Sequence, residues 1–344
     1  RGENAALLAM QAPPGDVARL NAEAARRFQA VLDKYPEFGH ARQARLSLAW
    51  LTYRQGDYDK TRALLEQIEP ADRKDDLAAA SYLLADCLVR TAPAQVDDAV
   101  AAGRAEEQLN QAAQLLTELV GSDPYAERDP DALLRLGLCQ RRLAALTAKD
   151  EDRNALYDAS RASFERVLLE YPRDELQPHA ALERARAIRR TGDITEAIRR
   201  LRPFASGNLA QHPLAPLAVL HLGGWLRLQD GMAPEAARLL GRCRRQYEQA
   251  LKADPVHAEW AAMLRYQHAL ALQDAGRYDE GRVILKEIMA DPARPECAEA
   301  RLAWGEGLLA EGRGKVAAAD AALQNNPTED QAAAARKGRA EGVK

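Results

Sequence analysis

Residues 44–70 read ARLSLAWLTYRQGDYDKTRALLEQIEP and contain two short segments whose apolar residues recur with helical spacing. The first segment ends at Gly56 and Asp57: glycine accepts the left-handed conformation that closes a helix, and aspartate caps the next one. The second segment ends at Pro70, which cannot continue a helix. The stretch therefore predicts a helix–turn–helix hairpin. One hairpin of this size cannot bury the apolar faces of both arms, so it requires neighbours.

The same arrangement of small residues recurs along the chain. Ala49 in the first arm and Thr61 in the second lie twelve positions apart, with Gly56 at the turn between them. Small residues at this spacing let two antiparallel helices cross closely. Three further pairs repeat the spacing around a glycine: Ala185 with Ala197 around Gly192, Ala269 with Gly281 around Gly276, and Gly305 with Ala317 around Gly312. The pattern predicts a hairpin turn at each of these glycines.

A second signature marks the end of second arms. Residues 28–36 read FQAVLDKYP and residues 164–172 read FERVLLEYP, each ending in a proline. The same steps of small, apolar and proline residues end at Pro124 and Pro255. Together the two signatures resemble the tetratricopeptide repeat family, whose repeats carry small residues early in each arm, an aromatic residue late in the second arm and a closing proline. The resemblance covers almost the whole chain.

The resemblance implies an all-α fold, a right-handed superhelical solenoid of tetratricopeptide-like helical hairpins. We expect residues 1–36 to form a partial N-terminal hairpin, with a helix remnant over residues 3–11. Residues 37–326 are expected to form seven hairpins of one solenoid, and residues 327–344 a C-terminal tail. The thin second arm of the last hairpin, residues 316–323, suits a terminal unit on which nothing stacks.

Composition agrees with this class and excludes several functions. Hydrophobic residues make up 47% of the 344 residues and aromatic residues only 5%, which is typical of a helical chain without strands. A net charge of −3 gives no general attraction to nucleic acid. No apolar stretch approaches the roughly twenty residues that a transmembrane helix requires. We expect neither a nucleic-acid partner nor a transmembrane segment.

No pattern indicates catalysis, a metal site or a cofactor. The six histidines are scattered and none lies in an H-E-x-x-H motif, so no enzymatic activity is predicted. The cysteines lack C-x-x-C spacing and a nearby histidine, and small apolar residues packed between helices are the expectation for them. Metal ligation and disulfides are the alternatives. The four positions are Cys87, Cys139, Cys243 and Cys297.

In the tetratricopeptide family the first arms line the concave face, and the resemblance places aromatic residues and arginines of this chain there, together with Asp86 and Glu306. Arginine pairs bidentately with carboxylates, and tyrosine or tryptophan provides rigid apolar contact. We therefore predict a groove that holds a protein or peptide bearing acidic residues. The alternative is a solvated face whose arginines are balanced by Glu183 and Glu196. The predicted partner-binding residues are Trp50, Tyr53, Tyr82, Arg141, Arg186, Arg189, Arg227 and Tyr266.

The predicted function is a non-catalytic scaffold or adaptor for protein–protein interaction. The F-x-x-V-L-x-x-Y-P pattern is similar to a bacterial subgroup that includes the Tol-Pal coordinator and outer-membrane assembly lipoproteins. This similarity implies a bacterial envelope or periplasmic role, whereas unpaired cysteines favour a reducing compartment such as the cytoplasm. Two alternatives stay open: a self-assembling structural solenoid, which would associate through a terminal helix or the long arm at 96–120, and a regulatory repeat domain of a larger protein.

Overall fold

The computed structural model describes residues 14–93, 96–120, 129–290, 296–325 and 327–343. These residues form fifteen α-helices and two 3-10 turns, and no strand occurs among them. The chain divides into two compact units, Arg1–Asp193 and Ile194–Lys344, here called unit 1 and unit 2. The all-α class predicted from the repeat pattern is confirmed.

In unit 1 each helix packs against the next one along the chain. The helices that begin the predicted hairpins, α2, α4, α6 and α8, also contact one another in sequence and are called the first-arm helices. Two 3-10 turns, Pro70–Asp72 and Asp75–Leu77, connect α3 to α4. The helices of unit 1 are α1 (Pro14–Lys34), α2 (Ala41–Arg54), α3 (Tyr58–Glu66), α4 (Ala79–Thr91), α5 (Ala99–Leu119), α6 (Asp129–Leu146), α7 (Asp150–Glu170) and α8 (Gln177–Arg190).

Unit 2 repeats this sequential packing of helical arms. Its first-arm helices are α10, α12 and α14, and α12 contacts both of the others. The helices of unit 2 are α9 (Ile194–Ser206), α10 (Ala215–Leu226), α11 (Ala233–Ala253), α12 (Ala258–Asp274), α13 (Tyr278–Met289), α14 (Glu296–Gln324) and α15 (Glu329–Val343).

Three of the four predicted glycine turns are confirmed. Gly56, Gly192 and Gly276 have φ angles of 80°, 99° and 75°, the left-handed region in which a Cβ would be strained. Beyond Gly56, the Asp57 side chain accepts a hydrogen bond of 3.1 Å from the backbone N–H of Lys60 and caps α3. The sequence therefore located these hairpin turns correctly.

The aromatic signature of α7 packs on the small residue of α6. Phe164 is fully buried, and a Cβ added to Gly137 would lie 2.5 Å from its ring. Ser160, four residues earlier on α7, donates a 2.7 Å hydrogen bond to the Gly137 carbonyl oxygen. Glycine is required at this crossing because any side chain would occupy the space of the phenyl ring.

The predicted turn at Gly312 is wrong. Helix α14 runs without interruption from Glu296 to Gln324, so Gly305 and Ala317 lie on one helix rather than on two arms. The glycine instead permits close packing of α14 on α15, since a Cβ at Gly312 would lie 2.5 Å from the carbonyl oxygen of Gly342. The residues expected to form a tail, 327–344, include α15, which packs on α14.

The four cysteines are buried and free, so the prediction that they pack between helices is confirmed. Burial raises the pKa of Cys87, Cys139 and Cys243 to about 12, which suppresses the reactive thiolate at neutral pH. The predicted helix remnant at residues 3–11 and the closing proline at 124 lie outside the described residues.

Candidate functional site

The first-arm helices of unit 1 carry six of the eight predicted partner-binding residues. Trp50 and Tyr53 lie on α2, and Tyr82 lies on the adjacent α4. Arg141 follows on α6, and Arg186 and Arg189 on α8. Because α2, α4, α6 and α8 are neighbours in that order, these positions form one series across the unit, with aromatic residues at its start and arginines at its end.

Aromatic rings and one guanidinium pack together at the start of this series. The rings of Trp50 and Tyr53 meet edge to face with centroids 5.9 Å apart, and Tyr53 meets Tyr58 of α3 in the same way at 5.6 Å. The Arg90 guanidinium lies 5.0 Å from the centre of the Tyr58 ring. Such contacts hold the rings in fixed positions.

A buried carboxylate, Asp86 of α4, joins three first-arm helices. It accepts a hydrogen bond from the Tyr53 hydroxyl of α2, pairs with the Nε of Arg90 on its own helix at 2.6 Å, and pairs with Arg135 of α6. The Asp86 side chain is fully buried. Burial raises the pKa of Tyr53 to about 12, and the Asp86 carboxylate contributes to this increase as the second cause. The Tyr53 hydroxyl therefore stays protonated and donates its hydrogen bond.

Tyr82 belongs to the same network. Its hydroxyl donates to Asp131 at the start of α6 and accepts a 2.9 Å hydrogen bond from the Nε of Arg135. Tyr82 is only 5% exposed. The hydroxyls of Tyr53 and Tyr82, both predicted to face a partner, are therefore used inside unit 1, where they fix the positions of adjacent first arms.

Arginines surround one carboxylate at the other end of the series. The Glu183 carboxylate of α8 lies 3.1 Å from the Nε of Arg141 on α6 and 2.7 Å from the Nη1 of Arg186. The Glu183 side chain is only 13% exposed. Burial lowers the pKa of Arg141, an effect that Glu183 opposes and that the positive charges of Arg186 and Arg190 increase. We call Arg141, Arg186 and Arg190 the arginine cluster. Among the described residues, Glu183 is the one carboxylate that pairs with any of these three guanidinium groups.

The remaining predicted residues have other surroundings. The Nε of Arg189 is buried without a hydrogen-bond partner among the described residues. In unit 2, Arg227 donates to Asp274 at 2.6 Å and to Gln267 at 3.0 Å. Tyr266 of α12 is half-buried, and burial raises its pKa.

The resemblance had placed Asp86 with Tyr82 on the concave face, but the sequence did not identify Arg135 or Arg190 as site residues. Two signals were present: Asp86 with Arg90 and Asp131 with Arg135 are both four apart, the spacing of helical ion pairs. The contact between Asp86 and Arg135 spans two helices, however, and no local spacing reports it.

The described residues hold neither a metal site nor a membrane span. No group of three or more His, Cys, Asp or Glu side chains there is placed to hold a metal ion. Within the same ranges, no helix is both long and apolar enough to cross a membrane.

Comparison with known proteins adds two family matches. Residues 18–149 match the YfiO family, described as an outer membrane lipoprotein, and residues 145–208 match a tetratricopeptide repeat family. Comparison with curated protein sequences gave no significant match.

Comparison with solved structures matched, among others, two chains at low TM-scores. One is a circular tandem repeat protein with novel repeat topology and enhanced subunit contact surfaces; it is 16% identical, with 99% of this chain and 93% of that chain covered and a TM-score of 0.31. The other is the tetratricopeptide repeat domain of P58(IPK), 16% identical, with 99% and 97% covered and a TM-score of 0.20. The repeat assignment rests on the two family matches and the helical hairpins. Residues 145–208 are thus similar to a tetratricopeptide repeat family, and residues 18–149 are similar to an outer membrane lipoprotein family.

Proposed function

We propose that this protein is a non-catalytic scaffold that binds an acidic segment of a protein partner at the arginine cluster of α6 and α8. The two family matches support an interaction repeat. The observation that carries the finer proposal is the charge balance of the cluster, in which Arg141 and Arg186 share the single carboxylate of Glu183 and Arg190 adds further positive charge.

Electrostatics explains why a partner carboxylate would bind there. Partly buried like charges repel one another more strongly than charges in water, because the effective dielectric constant is lower. A partner aspartate or glutamate would relieve that repulsion and accept hydrogen bonds from a planar guanidinium fork. Arg189, one turn from Arg186, adds a further guanidinium group to α8.

The other predicted residues take two roles in this proposal. Trp50, half-buried at the start of the first-arm series, provides apolar contact for the partner. Tyr53 and Tyr82 position the first arms through Asp86 and Asp131 rather than touching the partner. Arg227 and Tyr266 extend the proposal to unit 2, as a second set of contacts. The similarity to an outer membrane lipoprotein family supports a role in the bacterial envelope.

A pair of charge reversals tests the arginine cluster. The variant Arg186→Glu with Arg190→Glu should lose the partner that the wild type captures from a lysate of the organism that makes the protein, because the acidic segment would then face like charge. Loss of a well-packed interfacial charge contact typically costs about 2–5 kcal/mol of binding free energy. Captured proteins are identified by mass spectrometry and their affinities measured with purified components.

The matched control is Arg161→Glu with Arg166→Glu on α7, a second arm of the same unit. Both arginines are 45% exposed, and the change in net charge is the same. This control should keep the partner. Equal loss in both variants would show a general charge effect, and capture by both would place the binding site elsewhere. Recovery of only the protein itself would favour self-assembly over the scaffold.

A further inference from the structure

Unit 2 contains a surface cavity that the proposed function does not use. It has a volume of about 710 Å³ and lies among α11, α12 and the start of α13. Cavities of this size accommodate small ligands. Its lining is unusual in holding four arginines, Arg238, Arg242, Arg245 and Arg277, together with His268.

Three of these arginines are uncompensated. Arg238, Arg242 and Arg245 lie four and three residues apart on α11, so they share one face of that helix. All three are exposed, and within the ranges that the structure describes none forms an ion pair. By contrast, the neighbouring Arg244 pairs with Glu248 at 2.6 Å and with Glu287 at 2.8 Å.

The two carboxylates that line the cavity already have partners. Glu280 accepts two hydrogen bonds of 2.6 Å from Arg277, and Glu235 accepts one of 2.8 Å from Arg202. Neither is therefore available to balance the three α11 arginines. The cavity thus keeps an excess of positive charge, and the guanidinium groups of the three α11 arginines have no carboxylate partner among the described residues.

His268 of α12 forms part of the inner wall. It fits against α11 because position 241 is glycine, where a Cβ would lie 2.9 Å from the ring Nε2. Its Nδ1 is buried and has no hydrogen-bond partner in the part of the chain that the structure describes. Burial and the positive charges of Arg244, Arg277 and Arg245 lower the pKa of His268 to about 4, against the weaker opposing effect of Glu280. The ring is thus neutral at pH 7.

We propose that this cavity binds a small anion carrying phosphate, held by Arg238, Arg242 and Arg245 on α11 and by His268. A phosphate group presents three or more acceptor oxygens, which suits several guanidinium forks better than the two oxygens of a carboxylate do. Both a soluble phosphate compound and a phospholipid headgroup present this chemistry. The site lies within unit 2 and does not depend on the arginine cluster of unit 1.

Pyrophosphate is the probe for the first experiment. Isothermal titration at fixed ionic strength should show binding to the wild-type chain. The triple variant Arg238→Gln, Arg242→Gln, Arg245→Gln should bind at least about tenfold more weakly, since the loss of even one charge-assisted hydrogen bond has that effect. Glutamine is a good helix former, so α11 should stay folded, which circular dichroism checks.

The matched control replaces three other exposed arginines of unit 2 that also lack ion pairs among the described residues. These are Arg301, Arg313 and Arg336 on α14 and α15, each changed to glutamine. This control carries the same change in net charge and should bind pyrophosphate like the wild type. Equal weakening in both triple variants, or no binding to the wild type at millimolar pyrophosphate, would overturn the proposal.

The imidazole of His268 gives a second readout. An anion in the cavity offsets the surrounding positive charges, so pyrophosphate should raise the pKa of His268 and shift its ring NMR signals, assigned with a His268→Gln variant. Unchanged His268 signals at saturating pyrophosphate would contradict binding at this site.

Vesicles distinguish the two sources of phosphate. If the ligand is a lipid headgroup, phosphatidylglycerol vesicles should bind the wild type but not the α11 triple variant, and phosphatidylcholine vesicles should bind neither. If it is a soluble compound, pyrophosphate should bind while both vesicles do not. Either result supports the site, provided that pyrophosphate binding depends on the α11 arginines.

Discussion

Replacing Asp86 with alanine is expected to lower the free energy of unfolding by about 3–5 kcal/mol, the cost of leaving a buried ion-pair partner uncompensated. Asp86 is fully buried and pairs with Arg90 and with Arg135, whose side chain is 19% exposed. It also accepts a hydrogen bond from Tyr53. Without the carboxylate, α2, α4 and α6 lose their shared polar contact. Urea denaturation followed by circular dichroism measures the change.

The control for this prediction is Asp158→Ala on α7. Asp158 pairs with Arg161 at 3.3 Å, but its side chain is 55% exposed, and exposed pairs contribute about 1 kcal/mol or less. We expect a much larger loss of unfolding free energy for the Asp86 variant than for the Asp158 variant. Similar losses for the two variants would show that the buried network does not join the first arms.

Replacing Gly137 with leucine should produce the second large loss, about 3 kcal/mol, at the upper end of what overpacking of a core typically costs. A Cβ at this position would lie 2.5 Å from the fully buried ring of Phe164. The leucine must therefore displace the ring or separate α6 from α7, which would also strain the hydrogen bond from Ser160 to the Gly137 carbonyl. Thermal unfolding should show a lower midpoint.

Gly103→Leu on α5 is the matched control in the same unit. Gly103 is exposed, and a Cβ there would have no neighbour within 4 Å. Leucine favours a helix over glycine by roughly 0.8 kcal/mol, so this variant should be as stable as the wild type or slightly more stable. A stable Gly137→Leu variant would contradict the helix crossing described for α6 and α7.

Local signals in the sequence were sufficient to predict the hairpin turns at Gly56 and Gly276. Gly56 and Gly276 were identified as turns because a glycine that follows an apolar helical segment has few other roles, and both adopt positive φ. The signature at residues 164–172 predicted a second arm. Its Phe164, and Ser160 one turn earlier on the same helix, both contact the small residue Gly137. The apolar residues at helical spacing, the turn glycine and the small residues that predict a hairpin all lie close together in the sequence.

The turn predicted at Gly312 was wrong, and the contacts of Tyr82 were not foreseen, because both residues contact positions far away in the sequence. The sequence around Gly312 resembles that around the turn glycines. Gly312 instead lies where α14 packs closely on α15, next to Gly342, thirty residues later. Tyr82 was expected at a partner surface, but Asp131 and Arg135 of the next first arm enclose its hydroxyl. No residue near Tyr82 in the sequence reveals those partners. The eight-residue binding surface itself stays a prediction, now centred on the arginine cluster.

Site-specific photo-crosslinking can show whether a protein partner lies against the arginine cluster. His179, Glu183, Arg186 and Arg190 share one face of α8, and His179 is exposed, so a photo-crosslinking amino acid at position 179 leaves the arginine cluster intact. The comparison places the same amino acid at position 169, a leucine on α7 that is 72% exposed. We expect a crosslinked partner from position 179 only, and we expect it to be lost in the Arg186→Glu, Arg190→Glu background. A partner crosslinked from position 169 but not from 179 would contradict it.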